Sequence, residues 1–339
     1  MIKSTIVSLL IIFLFAFQPS VCQPSEKQGL NEEILASMGT KFRTEYTLAA
    51  EDLKAKIAED STNVEALIGL AETKILLFIF GFTSREETIP EAQLAYQRAK
   101  NIDSLSSNIH KLSGKLNMLD WKWNDSRDAF QKAIQADPQN LDARHWYSLW
   151  LICMKRFDEA MAQSDTIMTM DPDKNYLIGR GSLIYFHHQF GELKRLMLEA
   201  VAKDPAVPWG YDWLGMAYNG LEEHEDAIAT YYKAFELSDG TVEVGAGLGH
   251  ALGLAGETET AKQMADYYAI AAQDNYLPQM QRAFIHIGIN EFDDAIKLLE
   301  EAYEAKSWFL IFMQIEPWLD PIRGDQRFAD IMRRMEFPD

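Results

Sequence analysis

Apolar residues recur every three or four positions along most of the chain, in stretches of helix length separated by short polar turns. Such spacing places apolar side chains on one face of an α-helix. The stretches also repeat at a longer interval of 33 or 34 residues, counted from Ala227 in both directions. The equivalent positions in successive units are Ala92, Ser126, Ala160, Leu193, Ala227, Ala261 and Ala295. A repeat that keeps its phase over seven units predicts a stack of similar helix pairs.

The turns between units follow the same phase. Proline preceded by aspartate falls at Pro138, Pro172 and Pro205, where a helix must stop before the next unit begins. A further unit is predicted upstream around Ala50. The distance from Ala50 to Ala92 is 42 residues, so about eight extra residues are expected in a longer loop over residues 81–90. The repeats therefore occupy residues 32–304 as roughly seven or eight pairs.

The unit over residues 209–239 has the clearest internal pattern, with small residues where paired helices would cross and large ones between pairs. Its pattern consists of Leu214, Gly215, Tyr218, Ala227, Tyr231 and Ala234. This pattern resembles the tetratricopeptide repeat (TPR). The resemblance implies an all-α fold, a TPR superhelical solenoid of about 7–8 helix pairs with a C-terminal capping helix.

Residues 305–339 are predicted to form that C-terminal cap. Residues 307–315 are apolar, and Pro317 and Pro321 interrupt the chain after them. Residues 325–335 read as a last amphipathic helix with Phe328 and Ile331 on one side. A solenoid needs such caps because its end units would otherwise expose apolar faces.

Several stretches resemble one TPR subgroup, the repeats at the C-terminal end of bacterial winged-helix and adenylate-cyclase-like regulators. The similar stretches are residues 119–123, 129–134, 145–147, 299–303, 320–323 and 325–328. Those regulators carry an output domain ahead of their repeats, whereas this chain carries only a short N-terminal segment there. The resemblance therefore implies the interaction module alone.

The N-terminus is predicted to direct export. Lys3 precedes an apolar run over residues 5–17, about 13 residues long, which is shorter than the ~20 residues of a membrane-spanning helix. Residues 1–22 are therefore interpreted as a signal peptide, and residues 23–31 as a polar tether. Two alternatives stay open: lipidation of Cys22, although Pro19 and Val21 depart from a lipobox, and an uncleaved anchor. The protein would be periplasmic or in the cell envelope, or lipid-anchored through Cys22.

The charge and the cysteines limit the classes of partner. A formal net charge of −19 disfavours nucleic acid and anionic lipid, so membrane contact is expected only through an N-terminal anchor. Two cysteines, Cys22 and Cys153, provide neither a disulfide framework nor a cysteine-based zinc site. His187 and His188 lack metal-ligand spacing. No metal, cofactor or catalytic residue is predicted, and the chain is not expected to be an enzyme.

The resemblance implies that the first helix of each pair lines a concave face, where partners of TPR proteins bind. Applied to this repeat phase, the implied contact residues are Lys111, Lys115, His145, Leu149, Tyr185, Trp209, Asp212, Met216, Asn219, His250 and Met280. This aromatic and polar set suits an extended peptide or a partner helix in an open groove. We therefore expect an exported scaffold that binds a protein or peptide. The alternative is an envelope sensory or regulatory ligand-binding module without catalytic activity.

Overall fold

A computed structural model describes residues 39–171 and 177–338. These residues form sixteen α-helices and two short 3-10 helices, with no β-strand among them. The predicted signal peptide, the tether and Cys22 lie outside the described residues. None of the helices in the described ranges has the length and apolar character needed to cross a membrane.

Helix α1 (Thr40–Glu59) precedes seven antiparallel helix pairs. The first helices of the pairs are α2 (Val64–Ile79), α4 (Ser107–Leu119), α6 (Leu141–Cys153), α8 (Leu177–Phe186), α10 (Pro208–Gly220), α12 (Val242–Leu254) and α14 (Gln279–Gly288). The second helices are α3 (Arg85–Ile102), α5 (Trp123–Ala136), α7 (Phe157–Met170), α9 (Phe190–Lys203), α11 (His224–Leu237), α13 (Thr258–Ala271) and α15 (Phe292–Glu304). The all-helical paired architecture predicted from the repeat is confirmed.

The residues that set the repeat phase lie where helices cross. All seven, from Ala92 to Ala295, are 0% exposed. Gly215 shows why small residues are needed opposite them, because a Cβ there would lie 2.7 Å from the Tyr231 ring. The phase read from the sequence therefore corresponds to the packing of the two helices within each pair.

The turn inside most pairs has one conformation. In the turn after α10, Glu222 has a φ of +62°, and the N–H of Glu223 donates to the Tyr218 carbonyl at 2.9 Å. A residue in the left-handed region followed by such a bond back into the helix ends an α-helix and satisfies its last carbonyls. Corresponding left-handed residues follow the other first helices: Gly81, Trp121, Lys155, His188, Gly256 and Asn290.

The first pair departs from the predicted long loop. The extra residues lengthen both helices, since α2 has 16 residues and α3 has 18, against 13 and 14 in α4 and α5. Ser84 begins α3 with a capping box, in which its hydroxyl accepts from Glu87 N–H and the Glu87 carboxylate accepts from Ser84 N–H. Pro90 lies inside α3 rather than in a loop.

The stack curls back until its first pair touches its last ones. A Cβ on Gly81, in the turn after α2, would lie 2.6 Å from the Pro278 ring just before α14. The N–H of Gly39 donates to the Asp239 carbonyl, just before α12, at 2.7 Å. Phe82, which follows Gly81 in the turn after α2, is buried. The first helices consequently face a shared interior, which we call the inner face.

The C-terminal segment, residues 305–338, contains two 3-10 helices (Trp308–Phe312 and Pro317–Ile322) and helix α16 (Gln326–Arg334). Helix α16 packs against α15, with Phe328 and Ile331 buried, as predicted for a cap. Arg334 lies over the Tyr303 ring at 4.1 Å. The two 3-10 helices instead lie against the inner face, where Phe312 contacts Phe186 and Trp318 contacts His250.

Candidate functional site

All eleven residues predicted to face a partner lie on first helices of the pairs, on α4, α6, α8, α10, α12 and α14. Four of them, His145, Leu149, Trp209 and Met216, are half-buried. The other seven are no more than 5% exposed: Lys111, Lys115, Tyr185, Asp212, Asn219, His250 and Met280. The inner face is therefore largely covered within the protein itself.

The C-terminal segment covers the middle of the inner face. The Trp308 ring lies 5.7 Å from Trp146 on α6, and Phe312 stacks on Phe186 of α8 at 4.8 Å. Trp318 stacks on His250 of α12 at 4.4 Å. The expectation of an open groove is therefore wrong for the middle of the inner face. Residues 307–322 are too apolar to lie at an exposed end of the stack, so they pack inside it.

A buried hydrogen bond fixes this segment to α8. The Tyr185 hydroxyl donates to Glu316 Oε1 at 2.6 Å, and the same oxygen accepts from Trp318 N–H at 3.1 Å. Burial raises the pKa of Glu316 to about 7. Burial, together with the neighbouring Glu316 carboxylate, raises the pKa of Tyr185 well above its ordinary value. His250 is also fixed, since its Nδ1 lies 2.8 Å from the Phe284 carbonyl oxygen.

The two predicted lysines form an internal ion cluster with two acids. Lys111 Nζ lies 2.6 Å from Asp142 Oδ2 and 3.3 Å from Glu72 Oε1, and Lys115 pairs with the same two carboxylates. Lys115 Nζ also lies 4.4 Å from the centroid of the Trp146 ring. Although burial opposes ionisation, Lys115 and Lys111 hold the pKa of Asp142 well below its ordinary value. Both lysines are thus engaged by the protein's own side chains.

A second pair of acids, Asp212 and Glu243, has no lysine partner among residues 39–171 and 177–338. Asp212 on α10 and Glu243 on α12 occupy neighbouring pairs, with Asp212 2% exposed and Glu243 half-buried. Trp209 lies one turn before Asp212, and its ring stacks on Phe80 at 5.7 Å. Burial, followed by the charge of Glu243, raises the pKa of Asp212 well above its ordinary value.

One group in the described part of the chain has donor spacing compatible with a metal ion. Donor atoms of His286, Glu291 and Asp294 lie within 4.8 Å of one another. However, His286 Nδ1 contacts one Glu291 oxygen at 2.9 Å, and Lys262 contacts the other at 2.8 Å. A lysine ammonium already neutralises the carboxylate on which a cation would depend.

Comparisons with known proteins find structures of similar fold but no matching family model or curated protein. No protein-family model matches the chain, and no curated protein matches it. The structure described as the APC/C hetero-tetramer Cut9–Hcn1 aligns with a TM-score of 0.60 at 14% identity, over 89% of this chain and 55% of that chain. A tetratricopeptide repeat protein from Parabacteroides merdae aligns with a TM-score of 0.54 at 17% identity, over 76% of this chain and 98% of that chain.

The fold is that of a TPR solenoid. This chain spans about half the length of the first of these two structures. At such identities the similarity concerns the fold, so the resemblance to the repeats of winged-helix and cyclase-like regulators stays a prediction. Contact of the eleven inner-face residues with a partner also stays a prediction.

The TPR pattern locates inner-face positions but not what lies opposite them. Sequence reasoning missed Glu72, Asp142, Glu243 and Glu316, which pair with, or lie beside, the predicted residues. Glu243 falls two residues after the turn that precedes α12, at the position equivalent to Trp209 in the unit before. That equivalence was a usable signal for Glu243, whereas nothing local marks Glu316 as a partner of Tyr185.

Proposed function

We propose that this chain is an exported interaction scaffold that binds a partner protein or peptide on its TPR solenoid. The fold supports this function because stacked helix pairs present a continuous surface over many residues. We propose a binding role without catalysis, since the sequence offers no nucleophile with a base and an orienting group.

The observation that carries the proposal is the uneven coverage of the inner face. The C-terminal segment fills its middle, while Trp209 and Met216 on α10 and His145 and Leu149 on α6 stay half-buried. Half-buried aromatic and apolar side chains in a concavity are the kind that become interface anchors. We therefore propose that a partner contacts these half-buried side chains of α6 and α10, and not a groove running the length of the solenoid.

Site-specific photo-cross-linking in intact cells tests this proposal. We expect benzoylphenylalanine at Trp209 to give one discrete cross-linked species, because a bound partner would cover that ring. The same amino acid at Leu198, which is 44% exposed on the second helix α9, is the matched control. Equal labelling at both positions, or no adduct at Trp209, would count against a partner at these side chains.

Export is part of the proposal, and it rests on the N-terminal sequence. An apolar run of about 13 residues followed by Pro19 suits a cleaved signal peptide, with lipidation of Cys22 as the alternative. If Cys22 is lipidated, Cys22→Ser should move the protein from the membrane fraction to the soluble envelope fraction. Unchanged fractionation of the variant, with processing still observed, would support simple cleavage.

A further inference from the structure

A cavity lies between the first two helix pairs, and none of the residues that line it belongs to α6 or α10. Its volume is about 280 Å³, and its lining comes from α3, α4, α5 and the turn between the two pairs. Tyr96, Ile109 and Ala129, each at most 8% exposed, provide an apolar wall. The rest of the lining is polar or charged, a combination that suits a small polar ligand.

Two hydrogen bonds fix how α4 and α5 lie against each other. Ser107 Oγ donates to the Ala133 carbonyl at 2.8 Å, and Ser126 Oγ donates to the Gly114 carbonyl at 2.9 Å. The two helices are antiparallel, so these bonds place the first turn of α4 level with the last turns of α5. The last turn of α3 lies at the same end, because only residues 103–106 separate α3 from α4.

Three basic side chains line the cavity at this end. Lys100 is in the last turn of α3, His110 in the first turn of α4, and Lys132 near the end of α5. Burial and the charges of Lys132 and Lys100 lower the pKa of His110, so the two ammonium groups act on its ring. Both lysines are exposed, and a ligand can therefore reach them from solvent.

The nearby acids have partners of their own. Asp125, which also lines the cavity, is in the first turn of α5 at the opposite end, where the helix dipole favours a carboxylate. Asp128 contacts the Arg127 guanidinium at 2.8 Å. Asp103, in the turn before α4, accepts from two backbone N–H groups of that turn at 3.2 Å.

The two ammonium groups have no such partner. Within residues 39–171 and 177–338, no carboxylate oxygen lies within 4.0 Å of Lys100 Nζ or Lys132 Nζ. Lys100 Nζ instead lies 5.6 Å from the centroid of the Tyr96 ring. The formal net charge of the protein is −19, so basic groups that share a cavity without a close acid are exceptional on its surface.

We propose that Lys100, His110 and Lys132 form a binding site for one small oxyanion, a phosphate or a carboxylate group. Ammonium groups bind such oxyanions through charge-assisted hydrogen bonds. Ser104 lines the same end of the cavity, and its hydroxyl can donate to a further oxygen of the ligand. The site goes beyond the proposed scaffold function, because it lies on helices other than those proposed to contact a partner.

Titration calorimetry of the purified protein with sodium phosphate and with sodium succinate tests the site. The ionic strength is held constant with sodium chloride, so that chloride serves as the control for general screening. We expect at least one of the two anions to bind at a ratio of one per chain with a millimolar or lower Kd at about pH 8. Tighter binding of phosphate would identify a phosphate group as the natural ligand chemistry, and tighter binding of succinate a carboxylate.

Matched lysine variants locate the binding. Lys100→Gln and Lys132→Gln should each weaken it by about tenfold, since each removes one charge-assisted contact. Lys297→Gln removes an exposed lysine from another second helix, α15, and should leave the Kd unchanged. All three positions are exposed, so we expect the three variants to keep the thermal midpoint of the unaltered protein.

The His110 ring provides a second measurement at the site itself. A bound anion favours the charged imidazolium, so saturating phosphate or succinate should raise the pKa of His110 measured by NMR. The inference is overturned if neither anion binds more tightly than chloride, if the site variants bind like Lys297→Gln, or if the His110 pKa does not move. Cross-linking at Trp209 does not depend on this cavity, so the scaffold proposal is tested separately.

Discussion

Glycine at a helix crossing shows how a single residue sets the spacing of a pair. Gly215 on α10 faces the Tyr231 ring of α11, and a Cβ there would approach that ring to 2.7 Å. Real Cβ contacts are longer than this, so a side chain at Gly215 would push the two helices apart. The repeat phase could be read from the sequence because each unit needs such a position at the same offset.

Substitution of Gly215 tests that reading. We expect Gly215→Val to lower the free energy of unfolding by about 1–3 kcal/mol, because the added side chain overpacks the crossing. Gly191 on α9 is the control, since a Cβ there would meet nothing within 4 Å. Gly191→Ala should be neutral or slightly stabilising. An unchanged thermal midpoint for Gly215→Val would contradict the assigned phase.

Glu316 links stability to pH through one buried carboxyl. Its pKa is raised from 4.5 to about 7 by burial, so the folded protein holds this proton more tightly than the unfolded chain. The contribution of Glu316 to stability is therefore fully present below about pH 4.5 and is lost as pH rises through about 7. Glutamine at this position keeps the oxygen that accepts from Tyr185 and Trp318 but has no charge to bury.

We expect Glu316→Gln to raise the free energy of unfolding by about 2–3 kcal/mol at about pH 8, and to change it little at about pH 4. Chemical denaturation at both pH values provides the measurement. The exposed Glu259→Gln serves as the control for the loss of one negative charge. An equal effect of Glu316→Gln at both pH values would mean that packing, rather than ionisation, is responsible.

At the scale of elements, the C-terminal segment behaves as core rather than as a detachable lid. Leu310, Ile311, Met313 and Leu319 are each 0% exposed, and the rings of two tryptophans of the segment contact rings of the inner face. Each buried side chain of this size contributes roughly 1.5–3 kcal/mol of transfer free energy. Release of the whole segment would thus cost more than a typical binding partner could return.

Trp318 offers a direct test of that role. It is 8% exposed and touches both His250 and Phe284, so Trp318→Ala should destabilise the protein by about 3–5 kcal/mol. Ile270→Ala removes an apolar side chain that is 66% exposed and should change stability by less than about 0.5 kcal/mol. Equal thermal midpoints for the two variants would show that the segment contributes little to the core.

The helices could be predicted from the sequence, but the placement of the C-terminal segment could not. The bounds of α10 and α11 follow from apolar spacing within one unit, and the amphipathic α16 was predicted in the same way. The contact of Tyr185 with Glu316 joins residues 131 apart, and that of Trp123 with Met335 joins residues 212 apart. Periodicity describes only the faces of local helices, so it carries no information about such partners.

At the scale of the whole molecule, long-range contacts change how the solenoid should unfold. An open repeat array contacts only its nearest neighbours and can lose its units one after another. Here the turn after α2 touches the residues before α14, and the C-terminal segment joins α6, α8 and α12. The pairs are therefore coupled across the interior as well as along the chain.

We expect denaturant unfolding to be cooperative, with the helical signal in circular dichroism and tryptophan fluorescence changing at the same midpoint. Most of the tryptophans lie at contacts between distant parts of the chain, so their emission reports on the interior. Trp318→Ala should weaken this coupling and separate the two midpoints. Separate midpoints in the unaltered protein would indicate that its pairs unfold independently.

The position of the 3-10 helices after all seven pairs in the sequence also has a consequence for biosynthesis. Residues 305–338 are synthesised after all seven pairs, yet they contact α6, α8 and α12 in the interior. Until they emerge, a nascent chain exposes the apolar side chains of its inner face. Exposed apolar surface causes newly made proteins to aggregate or to recruit chaperones. A premature stop codon directly after α15 should therefore lower accumulation of the protein strongly, although it leaves all seven pairs intact.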